Sequence, residues 1–443
     1  MADCDGDGDL DLFVGGRFLP GRYPQPASSR LYRQQAGRLA LDETHQPLLD
    51  KVGLVSGAIW SDLDGDGFPE LVLACEWGPL KVFRNDQGRL APWDAPVRST
   101  KSLSSTISQL TGWWNSVTAG DLDGDGRLDL IAGNWGLNSP YQATQMQPLR
   151  LYYGDLGGRG MMDLVEAYFT PDLQAVVPRR SLSALSQAMP RLAECFPTHR
   201  AFSTATVSNL FQCLQVRPSE VQAATLASMV FFNRGDHFEA VPLPAEAQWA
   251  PVWAVTVADF DGDGQEDAFL SQNLFALRPE MPRLDAGRGL LLRGIGNGKL
   301  EPMPGQLSGV KVYGEQRGAA AGDFNEDGRV DLVVTQNGAP TRLFQNAGGA
   351  PGLRVRLAGP PGNPQGIGAV VRLHSDTHAG PAREIHSGSG YWSQDSVVLV
   401  LGRAESARQL SVRWPGGKTI KAAVPAASRE VSVGYEGRVQ TIR

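Results

Sequence analysis

The chain has 443 residues, 52 of them Gly and 30 Pro, and a formal net charge of −6, enough length for two or three domains around a large core. No run of about 18 apolar residues exists, which excludes a membrane-spanning helix, and Cys4, Cys75, Cys195 and Cys213 follow no zinc or redox spacing. Nineteen of the 47 acidic residues fall at the recurring loop positions described next, leaving 28 against 41 Lys and Arg, so the acidity belongs to those loops; neither a basic ligand nor a nucleic acid is implied.

The first element is the loop 3–11, with Asp3, Asp5, Asp7 and Asp11 at positions 1, 3, 5 and 9. Variants recur at Asp62, Asp64, Asp66 and Glu70; at Asp121, Asp123, Asp125 and Asp129; at Asp259, Asp261, Asp263 and Asp267; and at Asp323, Asn325, Asp327 and Asp331. Alternating Asp with Gly between them lets a short turn fold inward around one hard cation, and calcium takes about six to eight oxygens at roughly 2.3–2.6 Å. The position-7 residues, Asp9, Phe68, Arg127, Gln265 and Arg329, would each add a backbone carbonyl. Asp and Gly also serve ordinary surface turns. Five coincidences at the same four positions, each followed by an apolar strand-like run (12–14, 71–73, 130–132, 268–270 and 332–334), argue instead for metal loops holding about five calcium ions. They are not EF-hands, which need a Glu at position 12 and flanking helices; each loop here joins two strands.

The first loop begins two residues after Met1, with no signal peptide and no strand leading into it, so the chain is expected to start inside a longer protein. Loop starts at 3, 62 and 121 are 59 residues apart, and those at 259 and 323 are 64 apart, a period that suits propeller blades. Each unit reads as a strand, the loop, a second strand and a hairpin, with hairpins visible at 31–37, 82–88, 230–235 and 343–348. Six units are visible, the first and last incomplete, so the intact parent should have about seven blades or more.

Between 121 and 259 lie 138 residues, read as about two blades plus a helical insertion near 178–226. Ser181 is placed to cap a helix carrying Leu182, Leu185 and Met189, and Pro190 to open another with Leu192 and Phe196. A degenerate loop at 155–163 keeps Asp155 and Asp163 but has Arg159 at position 5, whose guanidinium is expected to neutralise both in place of an ion. Cys195 and Cys213 are open to either a local disulfide or two buried thiols. After a Gly/Pro-rich joint at 348–352, alternating runs at 353–357, 370–373, 397–401 and 410–414 read as a β-sandwich-like domain without metal loops. The expected division is therefore an all-β propeller over 1–349 and a β domain over 350–443.

The repeats resemble FG-GAP/VCBS units of the calcium-binding propellers of integrin α-subunits, and 13–17 and 132–138 resemble segments of bacterial repeat proteins of this kind. Gly366-Ile-Gly368-Ala, Ser387-Gly-Ser-Gly-Tyr391-Trp-Ser-Gln394 and Val412-Arg-Trp414-Pro-Gly-Gly417 resemble the ASPIC/UnbV domain of bacterial proteins and of the cartilage acidic protein group. Two departures stand out: Gly416 replaces the usual Ser, and the family's Phe-Gly-Leu-Gly run is reduced to Val400-Leu-Gly402. The resemblance implies secretion, calcium binding and an interaction role, with no established reaction for the bacterial members.

Catalytic readings find less. His374 and His378 flank what looks like a hairpin tip; Gly388-Ser389-Gly390 lacks the strand–turn–helix setting of a nucleophile elbow. Gly294–Gly298 reads as a hairpin turn, since no helix follows to hold a pyrophosphate. Trp60, Trp77, Trp113, Trp114, Trp135, Trp249 and Trp253 either fill the space between blades or line a sugar-binding channel. The reading is a calcium-stabilised extracytoplasmic binding or adhesion module for a protein or glycan. The alternative is a carbohydrate-active propeller enzyme, glycosidase or lyase, with its carboxylates in the central channel.

Overall fold

A computed structural model of the chain describes all residues except 100–101, 279–280, 376–377, 403–407 and 426. The fold is all-β and propeller-like. Five sheets carry the acidic loops; in blades 2 to 5 each loop joins the innermost strand to the next, and in blade 1 the loop precedes the first strand, with Ala2 bridging Asp11. Blade 1 is Leu12–Val14, Arg30–Gln35 and Arg38–Leu41; blade 2 is Leu54–Ser61, Glu70–Gly78, Lys81–Asp86 and Arg89–Trp93. Blade 3 is Ser116–Gly120, Asp129–Gly133, Met229–Asn233 and Phe238–Pro242, extended at its outer edge by Pro96–Ser99 and Ser102–Thr106. Blade 4 is Val252–Ala258, Asp267–Gln272, Leu290–Gly294 and Leu300–Met303, and blade 5 is Glu315–Gly322, Asp331–Asn337 and Ala339–Phe344.

The innermost strands and the residues beside them bond directly to the neighbouring blade: Val55 N–H to the Gly16 carbonyl at 3.2 Å, Ser56 Oγ to the Trp114 carbonyl at 2.6 Å, Asn115 Nδ2 to the Val252 carbonyl at 2.9 Å and Thr256 Oγ1 to the Ala319 carbonyl at 3.1 Å. These strands are rich in Gly and Ala because the axis is crowded. A Cβ at Gly57 would sit 3.1 Å from Ser116 Cα and 3.2 Å from the Gly390 carbonyl. Apolar alternation fills the spaces between blades; Val72, Val82, Leu130 and Phe231, for example, are all buried in one cluster.

The sixth unit is a sheet of its own, Leu149–Gly154, Asp163–Thr170, Ala175–Pro178 and Ser219–Ala223, but it does not stand between blades 3 and 4. Asp129–Gly133 pairs with Met229–Asn233 across the whole segment, so this sheet and its helices are inserted between the second and third strands of blade 3. The insertion therefore starts well before residue 178. Helices Leu182–Ala188 and Arg191–Cys195 form as expected, with Ser181 Oγ accepting the Ala184 N–H. His199–Phe202 and Val207–Leu214 were not foreseen, the latter closed by a Thr206/Asn209 capping box. Cys195 and Cys213 form a disulfide that ties the second of these helices to the last, while Cys4 and Cys75 are free and buried.

Residues from Leu353 onward build two four-stranded sheets around one core. Leu353–Ala358 lies between Leu399–Leu401 and Glu430–Gly434, with Val439–Thr441 at the edge. Val370–His374 lies between Arg383–Glu384 and Gln409–Arg413, with Thr419–Ala423 outside. Val355, Val371, Val412, Trp414 and Val431 meet between them. From this domain a hairpin turns back into the propeller axis: Ser389 and Ser393 bridge, Gly390 pairs with Val117, and Ser396 N–H donates to the Ala321 carbonyl at 2.8 Å. Gly390 has φ +61° and a Cβ there would strike the Val255 carbonyl at 2.7 Å, so glycine alone fits. Of the expected hairpin tip between His374 and His378, residues 376–377 lie outside the described residues. His374 Nε2 meets Ser411 Oγ at 2.7 Å.

Candidate metal centres

Each loop is wound by the same local bonds. The position-1 carboxylate accepts the position-6 N–H: Gly8 to Asp3 at 3.1 Å, Gly67 to Asp62 at 3.1 Å, Gly126 to Asp121 at 2.9 Å, Gly264 to Asp259 at 2.9 Å and Gly328 to Asp323 at 2.7 Å. The position-3 side chain accepts the position-5 N–H, and position 5 accepts that of position 7, as in Asp263 to Asp261 (3.1 Å) and Gln265 to Asp263 (2.8 Å). Sequence order dictates this: an Asp at every second position caps the amide two residues on, and the intervening glycines take the positive φ that the winding demands.

Position 9 does something else. It opens the second strand, is buried in every loop (Asp11, Glu70, Asp129, Asp267 and Asp331), and in loops 2 to 5 divides its two oxygens between parts of the blade. Asp267 accepts Phe260 N–H at 2.8 Å and Gly294 N–H at 2.7 Å. Asp129 accepts Leu122 and Asn233 at 3.0 and 2.7 Å, and Asp331 accepts Phe324 and Asn346 at 2.9 and 2.7 Å. Glu70 does the same for Leu63 and Asn85. In loop 1 Asp11 accepts Gln34 N–H and meets Cys4 and Arg33. The position-9 carboxylate thus ties the loop to the next hairpin.

Three carboxylates offer oxygens within 4.8 Å of one another in four loops: Asp3, Asp5 and Asp7; Asp62, Asp64 and Asp66; Asp121, Asp123 and Asp129; and Asp259, Asp261 and Asp263. Loop 3 draws on Asp129 because Asp125 turns to Arg127 Nη2 at 2.8 Å. Loop 5 carries one carboxylate fewer because position 3 is Asn325, whose Nδ2 donates to Asp327 at 3.0 Å. The donors are all oxygen, as a hard divalent cation requires, and one buried oxygen, Asp121 Oδ1, has no protein partner. Burial, joined by neighbouring carboxylates, pushes Asp3 up to about 7, Glu70 to about 8 and Asp267 to about 7. Burial likewise lifts Asp129 to about 8 against the Asn233 amide. A divalent ion at these positions would relieve the same repulsion.

The C-terminal domain lies over these loops and meets the position-1 carboxylates with arginines. Arg413 Nε is 2.7 Å from Asp62 Oδ2, Arg383 Nη2 is 3.9 Å from Asp259 Oδ2, and Arg354 pairs with Asp323. Asp121 accepts Ala382 N–H at 2.8 Å and feels the charge of Arg372. Nothing in the spacing of these arginines signalled the contact. In the degenerate loop, Arg159 Nη2 reaches Asp163 at 3.1 Å as expected. Asp155, however, is met by the backbone N–H groups of Arg159 and Gly160 instead of the guanidinium.

The tryptophans divide. Trp60 and Trp114 are buried within cores of the ring, and Trp249 is exposed. Trp77, Trp113, Trp135 and Trp253 join one cluster at the ends of the strands away from the acidic loops. The channel itself is occupied by the hairpin from the C-terminal domain.

Comparison with known proteins agrees with this architecture. The FG-GAP-like repeat family matches residues 3–73 and 62–132, and the family described as ASPIC and UnbV matches residues 359–440. Cartilage acidic protein 1 of Mus musculus is 24% identical over 98% of this chain and 72% of its own length. That of Xenopus tropicalis is 29% identical over 94% of this chain and 70% of its own length. The crystal structure of the V. cholerae biofilm matrix protein Bap1 overlaps 93% of this chain and 58% of its own at 11% identity, with a TM-score of only 0.23. No helix among the described residues is long and apolar enough to cross a membrane. The chain combines FG-GAP-like repeats in its propeller with a C-terminal ASPIC and UnbV domain, and is similar along nearly its whole length to the cartilage acidic proteins.

Proposed function

We propose that the chain is a calcium-stabilised binding or adhesion module that works outside the cytoplasm and performs no reaction of its own. The observation that carries this is the convergence of three carboxylate oxygens within 4.8 Å in four loops of one design. In each loop, positions 1, 3, 5 and 9 and the position-7 carbonyl would hold the ion, including Asn325 in loop 5. Calcium supplies positive charge there and no more. The loops' own residues do the structural work, since position 9 already joins two strands of the blade. Extracellular calcium modules bind at about 10⁻⁴ to 10⁻³ M, which suits an exported protein. The Cys195–Cys213 disulfide supports an oxidising compartment, and so does similarity to proteins named for cartilage. The partner would be a protein or a glycan.

Thermal denaturation tests the reading. Millimolar calcium should raise the midpoint above that in EDTA, and magnesium should do so less, because it demands a tighter octahedron. Identical curves in calcium and EDTA would overturn it.

A further inference from the structure

We propose that the channel mouth on the face away from the acidic loops is a carbohydrate-binding site, built around the tip of the C-terminal hairpin. The proposal rests on the binding-module reading and gives it a place and a ligand class. The hairpin enters on the metal-loop face, where Glu384 accepts Asp62 N–H at 3.0 Å and His386 Nδ1 lies 3.2 Å from the Trp60 carbonyl. Its tip reaches the other face, where Tyr391 packs on Trp253 with ring centroids 5.4 Å apart.

Trp392 follows, 83% exposed and stacked on Tyr391 at 5.0 Å and 12°. Its φ is +50°, a left-handed backbone that a bulky residue adopts at a cost and that concentrates at functional positions. Folding gains little from an exposed indole held this way. A ligand with an apolar face gains a platform.

Two ion pairs flank that platform. Arg17 Nη2 is 2.8 Å from Glu76 Oε2, and the other Glu76 oxygen accepts Tyr23 Oη at 2.5 Å; Tyr23 in turn accepts Trp77 Nε1 at 2.7 Å. Opposite, Arg317 pairs with Glu315, lies 4.1 Å over the Trp253 ring and donates to the Asn273 carbonyl at 3.2 Å. Arg17 and Arg317 lie close enough to interact with each other, and both lie near Tyr391. Trp113, beside Glu76 in the sheet, stacks on Trp135 at 3.9 Å and meets Trp77 at 4.6 Å.

This inventory fits a sugar. A pyranose presents C–H groups on its faces and hydroxyls at its edge; aromatic rings serve the first, and planar Arg–Glu pairs supply donors and acceptors at fixed positions for the second. Two Arg against two Glu leave no net charge, which disfavours phosphate or nucleic acid as the occupant. Because the hairpin fills the channel, the ligand would lie across its mouth.

The test is a printed glycan array of hexose, N-acetylhexosamine and uronate oligomers, probed with the full chain in millimolar calcium, followed by titration with the best-bound oligomer. Wild type should bind, Trp392→Ala should weaken binding at least about tenfold, Trp392→Phe should recover part of it, and all three should keep the calcium-dependent melting midpoint. A silent array, or binding unchanged in Trp392→Ala, would overturn the site while leaving the module reading intact. Loss of the calcium effect in wild type would strike that reading instead.

Discussion

Removing the Asp267 carboxylate should destabilise the propeller even when no calcium is present. Its two oxygens accept Phe260 N–H at 2.8 Å and Gly294 N–H at 2.7 Å, and the residue is 1% exposed. Asp267→Ala leaves two buried amides without acceptors, at about 1–3 kcal/mol each, so a total loss of about 4 kcal/mol is expected. Asp267→Asn keeps one acceptor and should lose about half as much. Urea unfolding followed by tryptophan fluorescence, in EDTA and again in saturating calcium, separates the roles. At a slope of about 3 kcal/mol per molar the Ala variant should unfold more than 1 M earlier in EDTA, and still earlier relative to wild type in calcium. If its curve in EDTA matched wild type, position 9 would be a metal ligand only, and the account of how loop and blade are joined would be wrong.

Other outcomes follow from the same contacts. Arg413→Met leaves the buried Asp62 facing the interface without its 2.7 Å partner, so chelation should lower the melting midpoint further in this variant than in wild type; an equal EDTA effect would contradict the pairing. Replacing Cys195 and Cys213 by Ser frees an 18-residue span and should cost about 3 kcal/mol locally. Limited proteolysis should then cut within 196–212 while the propeller midpoint holds, and an unchanged digestion pattern would speak against a stapling role. His386 lies in the hub facing the Glu384 carboxylate at 3.6 Å, the Trp60 carbonyl and the charge of the amino terminus. Burial lowers it to about 4, below its unfolded value, so the folded state binds fewer protons and stability is lost as pH falls from about 6.5 toward 4. Asp395, raised to about 6 by burial, acts in the opposite sense. His386→Gln should therefore lose about 2 kcal/mol less than wild type between pH 7 and 5; parallel pH profiles would show that His386 is not the group responsible.

The acidic loops were legible because their chemistry is local. A carboxylate at each second position with glycine between has one compact winding, and strands on either side follow from the apolar runs at 71–73 or 268–270. Pairing partners were not legible. One edge of 129–133 pairs with the nearby 116–120, but the other passes over everything nearer to take 229–233, and the Asp155 loop has the form of a repeat although its sheet stands outside the ring. Sequence periodicity records that a strand exists and says little about which distant edge it joins. The third helix carried a readable signal in its N-cap Thr198, and the fourth in Thr206 and Asn209, a capping pair three apart. Arg354, Arg383 and Arg413 carried none: Arg354 and Arg413 sit in alternating strand runs like any other, and Arg383 in a strand of two residues. The hairpin through the axis was visible as a motif, 387–394, with nothing to show its route. Its route depends on Gly390 meeting Val117 and on Gly57 making room, contacts between residues hundreds of positions apart.

Metal content decides whether the five loops hold calcium. Chelated protein, dialysed to equilibrium against about 5 mM calcium, well above the affinity range of extracellular calcium modules, is analysed for calcium by mass spectrometry beside a variant with Asp259, Asp261 and Asp263 changed to Ala. Calcium-holding loops should give about four to five ions per chain and about one fewer in the variant. Calcium no higher than in the dialysis buffer, or the same content in both proteins, would contradict it.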